Sequence, residues 1–151
     1  MFTRIKSVNA LLTDISKELA DNNIILSITK FKMVYAMDGT GGCYGLFIPP
    51  EKGKPGYIRV ASRGHSLPEV LLGVVHEYIH WRQWYNNEKI YKSNDYYKLE
   101  CNTERRALTF LKRSTHNIPK KIIKEAEISS KKYLKEISEE IQKEWCTNLL
   151  S

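Results

Sequence analysis

The chain has 151 residues, 42% of them hydrophobic, which is enough for one ordinary core and too few for two domains. Its three cysteines, Cys43, Cys101 and Cys146, form no CxxC pair, which argues against a disulfide framework or a cysteine-based zinc site. The net charge of +7 is spread thinly, with no basic run and no interleaved aromatics, so we expect no nucleic-acid partner.

The N-terminal residues 1–22 lack the continuous apolar segment of a signal peptide, and no stretch approaches the apolar length of a membrane span. We therefore expect a cytoplasmic protein with reduced thiols and no membrane partner. It should be a single domain over residues 1–151, with residues 117–151 as a helical extension. The sequence sets no oligomeric state.

An amphipathic helix is predicted first, over residues 4–21, where apolar residues recur at helical spacing. Residues 24–37, 43–48 and 56–62 are rich in β-branched and aromatic residues, and the turn sequences DGTGG and PPEKGKPG separate them. Three strands fit this punctuation, and we expect them to form a small antiparallel meander.

Ser66, Pro68 and Glu69 form a helix start, because serine and glutamate at this spacing make a capping box and proline suits the first turn. A helix is thus predicted from Leu67 to Tyr85. Residues 94–95 open a third helix, and residues 117–119 open a last helical region. We expect this region to break near residues 129–130, and the whole to be an α+β fold.

The second predicted helix carries HEYIH, which is His76, Glu77 and His80. Residues four apart lie one above the other on a helix, so the two imidazoles can bind one metal ion. Glu77 is displaced about 100° around the axis, which suits a general base acting on a water that the metal activates.

A catalytic zinc ion needs a third protein ligand and one open position. Glu100 follows His80 by 20 residues, enough for a loop and a returning helix to bring its carboxylate to the histidines. Glu104 lies one helical turn later on the same face. We assign Glu100 to the metal and Glu104 to the support of one histidine.

These residues resemble the gluzincins, the thermolysin-like zinc metallopeptidases, over roughly residues 57–112. The resemblance implies a zincin-like fold, with Glu100 as third ligand and Glu104 orienting the first histidine. This chain has Leu99 where the family commonly has asparagine, and Glu104 where it commonly has aspartate. The same pattern is similar to small metallopeptidase-like proteins of bacteria and phages.

Other third ligands stay open at this stage, among them Cys43, His65 and His116. Cys43 would fit a deformylase-like amide hydrolase, which combines HExxH with an upstream cysteine. His65 could instead contact substrate or stabilise an oxyanion, because it directly precedes the motif helix. A tyrosine could also serve as oxyanion donor, the candidates being Tyr91, Tyr96 and Tyr97.

The sequence thus predicts a zinc metallopeptidase that hydrolyses peptide bonds of a peptide or protein substrate, with Glu77 as general base. We expect residues 56–62 to be the edge strand along which an extended peptide pairs. Two alternatives remain: a binding or regulatory protein whose zinc site is structural or vestigial, and the deformylase-like hydrolase.

Overall fold

The computed structural model describes residues 3–35 and 43–150, with side chains up to residue 142. The fold is α+β, as predicted. The helices are α1 (Lys6–Asp21), α2 (Leu67–Tyr85), α3 (Tyr96–Lys112) and α4 (Lys120–Leu150), with a short 3-10 turn at Lys89–Lys92. The strands are β1 (Ile24–Thr29), β2 (Gly45–Ile48) and β3 (Gly56–Ala61). The predicted turn DGTGG, the last two residues of the first predicted strand and the side chain of Cys146 lie outside the described part.

Helix α2 has the bounds that its start signal predicts. The Oγ of Ser66 accepts a hydrogen bond from the backbone N–H of Glu69 at 3.4 Å, and Oε1 of Glu69 accepts one from the backbone N–H of Ser66 at 3.3 Å. This reciprocal pair satisfies two backbone donors that a helix start otherwise leaves open. The helix therefore starts at a defined residue, which fixes the direction in which each of its side chains points.

The sheet is mixed, and the prediction of an antiparallel meander is wrong. Its strand order is β1-β3-β2, with β1 parallel to β3 and β2 antiparallel to β3. The predicted edge strand, β3, is therefore the central strand. Among the described strands, β2 and β3 form a hairpin, and β1 and β2 lie on opposite sides of β3.

The central place of β3 agrees with its burial. Four of its six residues are buried, including Ile58 and Val60. A Cβ added at Gly56 would lie 2.6 Å from Pro50 N and 2.7 Å from Ile48 O, so only glycine fits where β3 meets the end of its hairpin partner. One face of the sheet packs against α1 and α2.

Helix α4 is continuous through residues 129–130, so the predicted break is absent. The helix packs against α2 and α3, and its inward stripe consists of Ile122, Ala126, Ser130 and Ile137, all buried. Because an α-helix has about 3.6 residues per turn, these positions lie on one face of α4. None of the helices in the described ranges is both long enough and apolar enough to cross a membrane.

Candidate metal site

Helices α2 and α3 bring His76, His80 and Glu100 together. The Nε2 atoms of His76 and His80 lie 3.0 and 3.2 Å from Oε2 of Glu100. Within the described residues these three side chains are the group that could hold a metal ion, with ligand atoms all within 4.8 Å of one another. The two histidines of HEYIH and the carboxylate of the following helix therefore lie together, as the sequence predicts.

The opposite nitrogen of each imidazole is held by a neighbouring side chain. Nδ1 of His76 lies 2.5 Å from Oε1 of Glu104, and Nδ1 of His80 lies 2.8 Å from Oε1 of Gln83. An amide oxygen can only accept, so Nδ1 of His80 must carry the proton it donates. When both imidazoles are neutral and donate through Nδ1, both Nε2 lone pairs face Glu100, as metal-bound histidines require.

The third ligand atom, Oε2 of Glu100, supplies a test of whether a cation fits. This oxygen is buried and has no hydrogen-bond donor among the described residues, although two nitrogens lie close to it. A buried carboxylate oxygen without a donor is costly. A cation among Oε2 and the two Nε2 atoms would satisfy all three lone pairs at once, so the donor set fits a metal ion.

Glu104 orients His76 and is itself held by the C-terminal helix. Ser130 on α4 donates its hydroxyl to Oε2 of Glu104 at 2.5 Å. Tyr133, one turn further along α4, donates to Oε1 of Glu100 at 3.1 Å, and its ring centroid lies 5.9 Å from that of His76. Both acids thus receive a hydrogen bond on the oxygen that faces away from the histidines.

Gln83 plays the corresponding role for His80. It is fully buried on α2, and its Nε2 donates to Oγ1 of Thr103 at 3.0 Å and to Oδ1 of Asn102 at 3.3 Å, both on α3. These two hydrogen bonds orient the Gln83 amide so that its oxygen faces His80. Gln83, Ser130 and Tyr133 are not predicted from the sequence, although a polar residue within an apolar helical stripe is a recognisable signal for Ser130.

Glu77 lies beside the three-residue group, against strand β2. A Cβ added at Gly45 would lie 3.1 Å from its Oε1 and 3.3 Å from its Cγ, so the carboxylate fits because residue 45 has no side chain. Burial raises the pKa of Glu77, and the negative charges of Glu100 and Glu104 raise it further against the opposing effect of the histidines. The carboxyl is therefore tuned toward taking up and releasing a proton.

The same charges act on the ligands themselves. Burial by itself lowers the pKa of His76, but Glu100 and Glu104 outweigh it and hold this pKa well above its ordinary value. Burial raises the pKa of Glu100, and the two imidazoles outweigh it in the other direction, so this pKa lies well below the usual range. Without a metal ion, the site therefore favours a proton on His76 and a charged Glu100.

Tyr91 and His65, the predicted substrate or oxyanion residues, have different surroundings. The ring centroid of Tyr91 lies 6.2 Å from that of His80, and burial and the charge of Glu77 raise the pKa of its hydroxyl. His65 instead has Nδ1 3.3 Å from Oε2 of Glu69 and its ring against Tyr44, with centroids 4.7 Å apart. Tyr91 thus lies beside His80, whereas His65 lies beside Tyr44, the residue that precedes β2.

The alternative third ligands do not join the group in the described part of the chain. The thiol of Cys43 contacts the backbone oxygen of Gly45 at 3.1 Å, and His116 pairs with Asp14 at 2.6 Å. Tyr96 lies close to Glu100 and Tyr133, whereas Tyr97 lies close to Cys101. Burial, with Glu100 nearby, raises the pKa of Tyr96 to about 12.

Comparison of the chain with models of known protein families, with curated proteins and with solved structures finds no match. Its function must therefore be inferred from the residues and geometry of this site.

Proposed function

We propose that this protein is a zinc-dependent metallopeptidase of the gluzincin type, with His76, His80 and Glu100 as zinc ligands. The observation that carries the proposal is the convergence of two Nε2 atoms on the donorless Oε2 of Glu100. Two imidazoles and one carboxylate form a donor set that zinc prefers in catalytic sites, where a fourth position stays open.

A bound zinc ion lowers the pKa of water toward neutrality and polarises a carbonyl group. Glu77 takes the proton of the attacking water and later delivers it to the leaving amine. Its raised pKa supports this role, because a higher pKa makes the carboxylate a better proton acceptor. Glu104 and Gln83 keep both imidazoles in the tautomer that leaves Nε2 unprotonated.

The edge available to a peptide substrate is that of β2 rather than β3. Within the described ranges β2 pairs with β3 on one side only, and the bridge between Val34 and Cys43 precedes it. The backbone N–H of Ala61 donates to Tyr44 O at 2.8 Å, so the alternation of antiparallel strands points the backbone groups of Gly45 and Phe47 away from β3.

An extended peptide would pair with these outward groups of β2 by β-augmentation. Because Gly45 lies directly against Glu77, a peptide in this register would pass the carboxylate of Glu77. Tyr91 is the candidate hydrogen-bond donor to the carbonyl oxygen of the substrate, since its ring lies beside His80 on the 3-10 turn that follows α2. The substrate class that fits the site is therefore an extended peptide or an unstructured segment of a protein.

Glu100→Gln and Glu77→Gln test the proposal, Cys43→Ser tests the deformylase-like alternative, and Glu51→Gln at an exposed turn is the control. Wild type is expected to bind one zinc ion per chain and to cleave members of a peptide library. Glu100→Gln should lose the zinc, whereas Glu77→Gln should keep it and lose about 10²- to 10⁴-fold in rate. Cys43→Ser should keep both properties, as should Glu51→Gln.

Other results would support other functions. Zinc retained in Glu100→Gln would overturn the ligand set, and zinc lost in Cys43→Ser would favour a deformylase-like site. Full zinc occupancy without any peptide cleavage, together with an unchanged biological effect of Glu77→Gln, would support a non-catalytic regulatory protein. Metal content by mass spectrometry and cleavage by chromatography of the library separate these outcomes.

A further inference from the structure

An open surface cavity lies on the side of α2 that faces away from the metal site. Its volume is about 630 Å³, and residues of α1, α2, α3 and the loop after α3 line it. Tyr78 and Arg82 of α2 line it. They follow His76 and His80 by two residues each, which is about 200° around the helix axis. The proposed peptidase chemistry uses none of the residues that line this cavity.

Arginines dominate the charge of the cavity wall. Arg82 on α2 and Arg105, Arg106 and Arg113 on α3 line it. Arg106 forms a bidentate ion pair with Glu88, at 2.7 and 3.2 Å. For Arg82, Arg105 and Arg113, no described carboxylate lies within ion-pair distance, so three guanidinium groups are available to an added anion.

The two acids of the cavity already have partners. Glu18 accepts a hydrogen bond from the hydroxyl of Tyr78, and Asp14 lies 2.6 Å from Nε2 of His116. Neither acid is paired with an arginine in the described part of the chain. Three guanidinium groups without a carboxylate partner against two carboxylates leave the cavity with a positive excess, which favours an anionic ligand.

The arrangement on α3 suits an oxyanion. Arg105, Thr109 and Arg113 are four residues apart, so they share one face of the helix, with Thr109 one turn from each arginine. Ser114 and Thr115 add hydroxyl groups at the end of this face. Guanidinium forks bind phosphate oxygens in pairs, and hydroxyls complete such sites.

The opposite part of the cavity is apolar and aromatic. The rings of Tyr78 and Phe110 lie 5.3 Å apart, and the guanidinium carbon of Arg82 lies 5.3 Å from the centre of the Tyr78 ring. Leu11 and Ile15 of α1 form the remaining apolar wall. Small-molecule sites combine an apolar wall with a few convergent polar groups and have volumes of about 300–1,000 Å³, a range that includes this cavity.

We propose that this cavity binds an organic phosphate, with the phosphate groups at Arg105 and Arg113 and a planar apolar group against the partly exposed ring of Phe110. The probe is ADP, which has both parts. Adenosine has only the planar part and inorganic phosphate only the anion, so the two together show which part the cavity recognises.

Binding is measured by calorimetry on the full chain after metal removal, because nucleotides bind zinc themselves. The test variant is Arg105→Gln/Arg113→Gln, at two exposed positions where loss of the fold is not expected. The control is Arg63→Gln/Lys89→Gln, which removes the same charge from exposed positions outside the cavity. Thermal melting of both variants checks that they are folded.

The expected result is saturable binding of ADP that weakens about tenfold or more in the test variant and is unchanged in the control. Equal weakening in both variants, or no saturable binding to wild type, overturns the proposal. Adenosine that binds as tightly as ADP overturns phosphate recognition, and inorganic phosphate that binds as tightly overturns the planar half of the ligand. Since the protein is metal-free in this test, its failure leaves the peptidase proposal unaffected.

Discussion

Ser130 on α4 donates its hydroxyl to Oε2 of Glu104 at 2.5 Å, and the other oxygen of this carboxylate lies 2.5 Å from Nδ1 of His76. Two hydrogen bonds thus connect the C-terminal helix to a candidate metal ligand. Ser130 is only 2% exposed, so water cannot easily replace its hydroxyl. The C-terminal region is therefore a part of the site's support, although the sequence analysis treated it as an extension.

Replacement of Ser130 by alanine should weaken this support. The buried Oε2 of Glu104 would lose its donor, which typically costs about 1–3 kcal/mol in the free energy of unfolding. Zinc affinity should fall as well, because Glu104 holds His76 less firmly. Chemical denaturation and competition with a zinc chelator measure both effects. Ser129→Ala, at a half-buried neighbouring position, is the control, and equal losses in both variants would contradict the role of Ser130.

Glu104→Ala should lower zinc affinity about 10- to 100-fold, the usual effect of removing the partner of a metal-bound histidine. The reason is that Nδ1 of His76 loses its acceptor, so the imidazole can rotate or change tautomer. Chelator competition measures the affinity, and Glu125→Ala on the exposed face of α4 is the matched control. A Glu104→Ala protein that is folded and binds zinc with wild-type affinity would rule out this support.

The fold could be predicted in part. Helix starts depend on neighbouring residues, and the Ser66 to Glu69 capping box placed α2 between the bounds it has in the structure. Strand order depends on which segments meet after a long connection, and no local signal in residues 30–44 specifies that crossing. The three strands therefore lie within the predicted segments, but β1 ends at Thr29 rather than near residue 37, and β3 has the central rather than an edge position in the sheet.

The site could be predicted where residue spacing determines geometry. His76 and His80 share a helix face whatever the tertiary structure, and a second helix at suitable distance made Glu100 the expected partner. Ser130 and Tyr133 reach the site only because α4 packs across α2 and α3. Helix α4 packs there through its buried stripe. The lysines and glutamates on its other faces dominate the composition of the helix, so its sequence looks like that of a solvent-exposed helix.

Gly45→Ala should reduce peptide hydrolysis and leave zinc binding intact. The added Cβ would lie 3.1 Å from Oε1 of Glu77, so the carboxylate must move away from the position where it takes a proton. The expected change is a lower kcat with the zinc content of wild type. Gly73→Ala is the control for crowding, because its Cβ would meet Val60 Cγ1 at 3.2 Å and not Glu77. Unchanged kcat in Gly45→Ala would contradict the proposed position of the general base.

The pH dependence of zinc binding follows from the pKa of His76. In the metal-free protein this pKa lies well above its ordinary value of 6.5, since Glu100 and Glu104 outweigh the lowering by burial. The protonated imidazole therefore stabilises the fold fully below about pH 6.5, and this contribution is lost as the pH rises through the raised pKa. Zinc binds the neutral imidazole, so it must displace this proton, and it does so more easily as the pH rises.

The gain in Tm on addition of zinc should accordingly increase as the pH rises above about 6.5 and through the raised pKa of His76, while the Tm of the metal-free protein decreases. The lowered pKa of Glu100 does not contribute to this change, because its stabilisation is lost only in acid, below its ordinary value of 4.5. Scanning calorimetry at constant ionic strength measures both trends. In His76→Ala the metal-free Tm should decrease less with pH, and a zinc-dependent gain that is constant or shrinks with pH in the wild type would contradict the proton displacement.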